Sequence, residues 1–451
     1  MTYLQPPDNV NDTRPADGEA ETERLITSSS STSSLLDHED SQLTYTTPKW
    51  RVITSFFLFG VINNVLYVII LSAALDLVPS TTPKGVVLFF NIFPALLAKV
   101  LYPYILTGPV IYSLRVLSCL LLSVTGILLV AFLPSLPLHL LGISLASFSS
   151  GLGELTYLQL STSYKDKWSL GAFASGTGGA GILGAGLWWL VKGWGVRKGL
   201  GSMSVLPVIM AVAYWGILKS GRKDNSRKED PLRDVQLGNA PVGLSIRDKW
   251  ILARPLIGRF MCPLFFVYLF EYTINQGISP TLLYPLPAPF PLTSLLPSPR
   301  DFYPLYQLTY QTFVFLSRSS HILNVPPIPI RFLSVPSILQ GLVLMVCLME
   351  STNTFLGIRG ILVVIALEGL CGGAAYVNVY HHVGRVDDDE VDERTERSRD
   401  ERTKQEKEWR MGVVGAADSL GILFASLISM PIELGLCQHQ VEKGMDLCRT
   451  L

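Results

Sequence analysis

The sequence predicts an all-α polytopic membrane protein of about eleven transmembrane helices, arranged as two related halves. Three observations predict it. The chain of 451 residues is 49% hydrophobic and only 16% charged, too apolar and too charge-poor for an ordinary soluble domain. Apolar runs of about 18 residues or more, each long enough to cross a bilayer core, recur along almost the whole length. Short blocks of the first half return in the second at a constant interval of spans. The formal net charge is zero, which gives no footing for nucleic-acid binding.

Residues 1–48 are polar and Ser/Thr-rich, including SSSSTSS, and are expected to form a disordered cytosolic tail. No basic stretch followed by a short apolar core marks a cleaved signal peptide, so the first span is expected to direct the chain to the membrane. Spans are expected at 52–75, 85–105, 111–133, 138–160, 169–191, 200–218, 260–284, 303–318, 332–350, 360–380 and 411–434. The eighth is short and polar. Two long charged loops interrupt them. Residues 219–259 carry ten Lys/Arg, and residues 381–410 carry eight Lys/Arg with eleven Asp/Glu.

Orientation follows from the excess of Lys/Arg in cytosolic loops. A cytosolic N-terminus places both charged loops on the cytosolic side. The segment 192–199, with Lys192, Arg197 and Lys198, is the exception. The expected organisation is a six-helix half at 49–218, a cytosolic basic linker at 219–259, a five-helix half at 260–434 and a polar tail at 435–451.

The halves echo one another. GELTYLQL (153–160) aligns with GGAAYVNV (372–379), GILGA (181–185) with GILFA (421–425), and VINN (61–64) with TINQ (273–276). Each match pairs spans six apart. Parallel repeats around a central solute site are the transporter plan of the major-facilitator type, so the expected fold is a major-facilitator-like two-repeat helical bundle. Its second half lacks a last span, because 435–451 is too polar to cross.

Ionisable groups in spans are costly and usually face a cavity or a partner. Span 4 holds Glu154, with Tyr157 and Ser161 on the same helical face. Span 7 holds Glu271, with Tyr268 and Asn275. Span 10 begins with Glu368 and ends with Tyr376, Asn378, His381 and His382. Span 1 offers Asn63, Asn64 and Tyr67. Spans 1, 4, 7 and 10 line the pathway in a two-repeat transporter, so these residues are expected along a solute or proton route. Burial of a carboxylate favours its protonated form, which suits proton-coupled work. Lys99, Arg318 and Asp418 complete the inventory as charge partners. The alternative for Glu154 is an interhelical ion pair with Lys99 or Arg318. Asp418 reads as structural, and the two histidines also fit an interfacial position.

Several other patterns need weighing. GTGGAG (176–181) matches a dinucleotide fingerprint literally, but it lies inside an apolar span and follows no strand. Ala172, Gly176, Ala180 and Gly184 instead recur every four residues and make a smooth ridge for close helix packing. The six cysteines (Cys119, Cys262, Cys347, Cys371, Cys437 and Cys448) show no CxxC or metal spacing and read as small core residues. The ending CRTL puts Cys448 at a prenylation position, yet Arg and Thr replace the usual aliphatic pair. ETERLI places Glu21 before Leu25 and Ile26 in a dileucine-type sorting pattern. The sequon at Asn11 lies in the expected cytosolic tail. No paired-Asp, HExxH or Ser–His arrangement points to an enzyme, and no cofactor is expected.

The blocks SSGLGELTYLQL, SGTGGAGILGA, FEYTINQG, YQLTYQTFVFLSRSS, EGLCGGAAYVN and ADSLGI resemble the battenin family of lysosomal and vacuolar membrane proteins, over residues 50 to about 440. The likeness is greatest to fungal members. This resemblance implies a major-facilitator-like fold in a vacuole membrane, with roles in vacuolar pH homeostasis and in transport of basic amino acids such as arginine. It also implies export of glycerophosphodiesters. Mammalian members end in a farnesylation-type box, from which CRTL departs. The expected partners are the lipid bilayer, a small solute and protons. The rival expectation is a trafficking scaffold acting through the loops 219–259 and 381–410.

Overall fold

In the computed structural model, helices stand where the apolar runs place them. The described residues are 48–77, 84–105, 110–133, 135–164, 168–191, 194–219, 244–286, 299–385 and 396–445. In chain order the helices are α1 (Lys49–Leu77), α2 (Lys84–Ile105), α3 (Tyr112–Phe132), α4 (Leu136–Ser161), α5 (Trp168–Val191) and α6 (Arg197–Leu218). They continue as α7 (Ile246–Thr281), α8 (Phe302–Arg318), α9 (Val335–Thr352), α10 (Gly357–Val383) and α11 (Glu396–Glu442). Pro137 and Pro336 sit in the first turns of α4 and α9, where a missing N–H costs nothing. Among the described residues, eight of these helices are long and apolar enough to cross a membrane: α1, α3, α4, α6, α7, α9, α10 and α11. In α2 the apolar stretch Phe89–Tyr102 is shorter.

Two boundaries differ from expectation. The expected linker 219–259 is helical from Ile246, because Ser245 caps the helix and closes a capping box with Asp248. Arg247, Asp248, Lys249 and Arg254 belong to an amphipathic entry, IRDKWILARPL, which a run of charge makes look like a loop. Likewise α11 starts at Glu396, inside the expected loop 381–410, and runs to Glu442, past the expected end at 434. Within α7 the helix widens to π turns at Ile257–Met261 and Ile274–Ile278.

The packing repeats with the same six-helix interval as the sequence. In the first half α1 packs on α5, α2 on α4 and α3 on α4. In the second half α7 packs on α11, α8 on α10 and α9 on α10. The halves meet through α2 against α11 and through α5 against α8. Glycines make the close approaches. A Cβ on Gly176 would lie 2.9 Å from the Val61 nitrogen, and one on Gly184 would lie 2.8 Å from Val68. Ala180 is buried on the same side. The ridge on α5 therefore meets α1 rather than lipid. Gly421, its counterpart on α11, stands as close to α7, at 3.1 Å from the Leu269 nitrogen.

Candidate functional site

Where the two halves meet, eight helices enclose a cavity of about 130 Å³. Its polar wall follows from helical spacing. Asn91, Ala95 and Lys99 on α2 recur every four residues, as do Tyr310, Val314 and Arg318 on α8, and all six face the cavity. The expectation that spans 1, 4, 7 and 10 carry the lining is therefore corrected. Helices α2, α5, α8 and α11 contribute more of the lining than α1, α4, α7 and α10, and three of the four charges lie on them.

Lys99 is the centre of a buried three-charge cluster. Its Nζ lies 2.8 Å from a Glu154 oxygen and 2.9 Å from Asp418 Oδ1. Lys99 and Asp418 are each 4% exposed and Glu154 is 9% exposed. Burial at this depth requires pairing. Tyr376 donates from its hydroxyl to Glu154 at 3.1 Å, and Ser419 donates to Asp418 from both its backbone nitrogen and its hydroxyl. The ion-pair alternative for Glu154 is realised with Lys99, not with Arg318, and Asp418 shares that partner.

Arg318 sits elsewhere on the wall. Its guanidinium donates to Thr177 Oγ1 and to the Tyr268 hydroxyl, each at 2.7 Å, and lies 4.2 Å from the Tyr376 ring centroid. Among the described residues it has no carboxylate at ion-pair distance. Tyr376 thus touches both cationic centres, one with its hydroxyl through Glu154 and one with its ring.

Of the residues expected on the route, Asn64, Glu154, Tyr268 and Tyr376 line the cavity, as do the expected charge partners Lys99, Arg318 and Asp418 and the ridge residue Ala180. Asn63, Tyr157, Glu271, Asn275, Glu368, Asn378 and His381 are not part of that lining. Tyr157 shares a helical face with Glu154, but its ring stacks on Phe59 at 4.3 Å and is fully buried. Asn63 donates to the Ser150 carbonyl at 2.9 Å and ties α1 to α4. Glu271 accepts from the Tyr310 hydroxyl. Asn275 donates to Glu368 at 3.0 Å and accepts from Gln307 at 2.8 Å. Asn378 accepts from the backbone nitrogen of Ile328 at 2.7 Å and so holds the segment after α8. The His381 ring packs against His321, with centroids 4.6 Å apart. Glu21, Leu25, Ile26 and Cys448 lie outside the described residues.

Sequence reasoning missed Asn91, Thr177, Tyr310 and Gln311, all on the cavity wall. The four-residue step from Asn91 to Lys99 was the available signal. It also missed Glu350, which is fully buried. Glu350 accepts from the Tyr284 hydroxyl and from the backbone nitrogens of Phe355, Leu356 and Gly357 at 2.7–3.0 Å. A carboxylate at the start of α10 satisfies otherwise orphaned donors.

The comparisons with known proteins agree with this architecture. The model of the CLN3 protein family matches residues 54–239 and 227–439. Protein BTN1 of Mycosarcoma maydis is 43% identical, covering 94% of each chain. The chain belongs to the CLN3 (battenin) family. Protein BTN1 of Cryptococcus neoformans var. neoformans serotype D (strain B-3501A) is 42% identical over 89% of this chain and 96% of that protein. Among solved structures, the human organic anion transporter MFSD10 (TETRAN) superposes with a TM-score of 0.54 at 13% identity, over 89% of this chain and 98% of that one. This battenin-family chain thus has a major-facilitator-like helical fold, a membrane transporter-like architecture with the charged cavity at the join of its halves.

Proposed function

We propose that this chain is a solute transporter of a vacuole membrane, with its N-terminus in the cytosol, that supports vacuolar transport and pH balance. Its solute is a basic amino acid such as arginine. The observation that carries this reading is the cavity between the halves, with Lys99 held by Glu154 on α4 and Asp418 on α11. Two carboxylates against one lysine leave a net negative charge, which suits a cationic group of the solute or a proton. Such a cation competes with Lys99 for its partners. Lys99 is also the ion pair that joins α2 to α11 across the halves, so that competition bears on the contact that must open and close in alternating access. Battenin-family membership supports the transporter reading. A glycerophosphodiester is the second reading, favoured by Arg318, whose fork matches a phosphate.

In cells lacking the native protein, Glu154→Gln is expected to keep normal abundance and vacuolar location while impairing arginine uptake and shifting vacuolar pH. Abundance holds because Lys99 retains Asp418. Abundance and pH both at the wild-type level would remove Glu154 from the mechanism.

A further inference from the structure

The two repeats place a cation at the same position and treat it differently. The interval of 219 residues that separates Gly153 from Gly372 also separates Asn91, Ala95 and Lys99 from Tyr310, Val314 and Arg318. Packing follows this register to within one residue. Helix α4 descends on α2 at Ala95, where a Cβ on Gly151 would lie 2.7 Å from the Ala95 Cα. Helix α10 descends on α8 at Val314, where a Cβ on Gly369 would lie 3.0 Å from the Val314 nitrogen. The cation follows four residues later in each case.

Lys99 meets two carboxylates there, and Arg318 meets none. The counterpart of Glu154 on α10 is Gly373. Where α11 offers the Asp418 carboxylate, α5 offers the Thr177 hydroxyl. Glu271 stands beyond ion-pair distance of Arg318, with one oxygen already held by Tyr310. The Arg318 Nε is buried and has no hydrogen-bond partner among the described residues. A guanidinium left with hydroxyls and a ring face is poorly compensated in a membrane interior. Its planar fork is suited to a carboxylate or a phosphate.

Asn91 gives an independent indication that a ligand belongs in the cavity. It is 2% exposed and lines the space, and neither its Oδ1 nor its Nδ2 has a partner among the described residues. A buried carboxamide with both ends unused is an uncommon and costly arrangement.

We propose that the cavity takes a solute bearing an oxyanion, a carboxylate or a phosphate, which Arg318 receives, while Asn91 bonds a polar group of the same solute. The proposal rests on the transporter reading and assigns the residues that hold its solute. An amine or polyamine without an oxyanion leaves Arg318 uncompensated and is excluded.

The test uses the full chain in lipid nanodiscs and in liposomes, with paired probes. L-arginine is set against agmatine, the same molecule without its carboxylate, and glycerophosphocholine against choline. At least one oxyanion-bearing probe is expected to raise the thermal unfolding midpoint while its partner does not. The arginine pair reports a carboxylate and the glycerophosphocholine pair a phosphate. Arg318→Lys keeps the charge but not the fork and is expected to weaken apparent affinity about tenfold or more. Asn91→Ala is expected to weaken it as well without lowering the ligand-free midpoint, since no intramolecular bond is lost. Equal responses within both pairs, or unchanged affinity in Arg318→Lys, would overturn the oxyanion site. If liposomes still accumulate a probe in that case, the transporter reading stands. Wild-type protein silent to all four probes in both assays would overturn both.

Discussion

Lys99 on α2 and Asp418 on α11 form a buried ion pair of 2.9 Å that joins the two halves of the bundle. Glu154 on α4 makes the same lysine a second partner at 2.8 Å. One cation therefore serves two carboxylates, and the three residues are not equivalent under substitution.

Removing either carboxylate leaves Lys99 paired. Glu154→Gln and Asp418→Asn are each expected to fold in near-normal yield. Lys99→Met leaves two buried carboxylates facing each other and is expected to cost about 3–5 kcal/mol, the usual penalty for orphaning a buried charge. Detergent-solubilised yield and gel-filtration profile check this. Comparable losses for all three variants would mean that the cluster acts as an indivisible structural unit.

The α5 ridge gives a second prediction, with its control on the same helix. A Cβ on Gly176 would press on the α1 backbone, whereas nothing lies within 4 Å of the position that a Cβ on Gly186 would take. Gly176→Leu is expected to lower folded yield severalfold, and Gly186→Leu to leave it near wild type. Fluorescence-detected size exclusion on the two variants side by side decides the matter. Equal profiles would contradict the close α1–α5 approach.

Glu350 provides a test remote from the cavity. It satisfies three backbone nitrogens at the start of α10. Glu350→Ala is expected to destabilise the protein by about 1–3 kcal/mol through those unmet donors. Solute affinity should be unchanged in the folded fraction. A change of affinity at unaltered thermal stability would mean that α10 transmits more than its own position.

The positive-inside argument supplies a fourth prediction. Proteases or cysteine reagents applied to intact vacuoles are expected to reach sites engineered into 219–243 and 386–395, within the two charged stretches proposed to be cytosolic. Protection of either segment would reverse the proposed orientation of the half that carries it.

Much of the fold was legible in the sequence because lipid imposes a long apolar run on most of the helices, and the repeat motifs revealed the correspondence of helices six apart. The boundaries at Ile246 and Glu396 were not legible, since charged amphipathic turns look like loops to a hydropathy reading. For the site, the cost of an ionisable group in a span brought Glu154 forward, and it lines the cavity, but helical spacing grouped Tyr157 with it. A common face says nothing about rotation, and Phe59 claims that ring for the core. The polar residues of α2 and α8 stand out less in the sequence than those of spans 1, 4, 7 and 10. Asn91 carries no charge, and the eighth span is short. Glu350 was invisible because its partners are backbone nitrogens, which no motif marks.

The central claim is that solute passes through the cavity between the halves. Flux of L-arginine and glycerophosphocholine into liposomes containing the purified chain, with and without a pH gradient, tests it most directly. Wild-type protein is expected to accumulate at least one of them above protein-free liposomes, with Glu154→Gln and Asp418→Asn slowed about tenfold or more, a transition-state loss of about 1.4 kcal/mol or above. Flux that is unaffected by either substitution in folded protein, or wild-type flux no greater than that of protein-free liposomes, would contradict it.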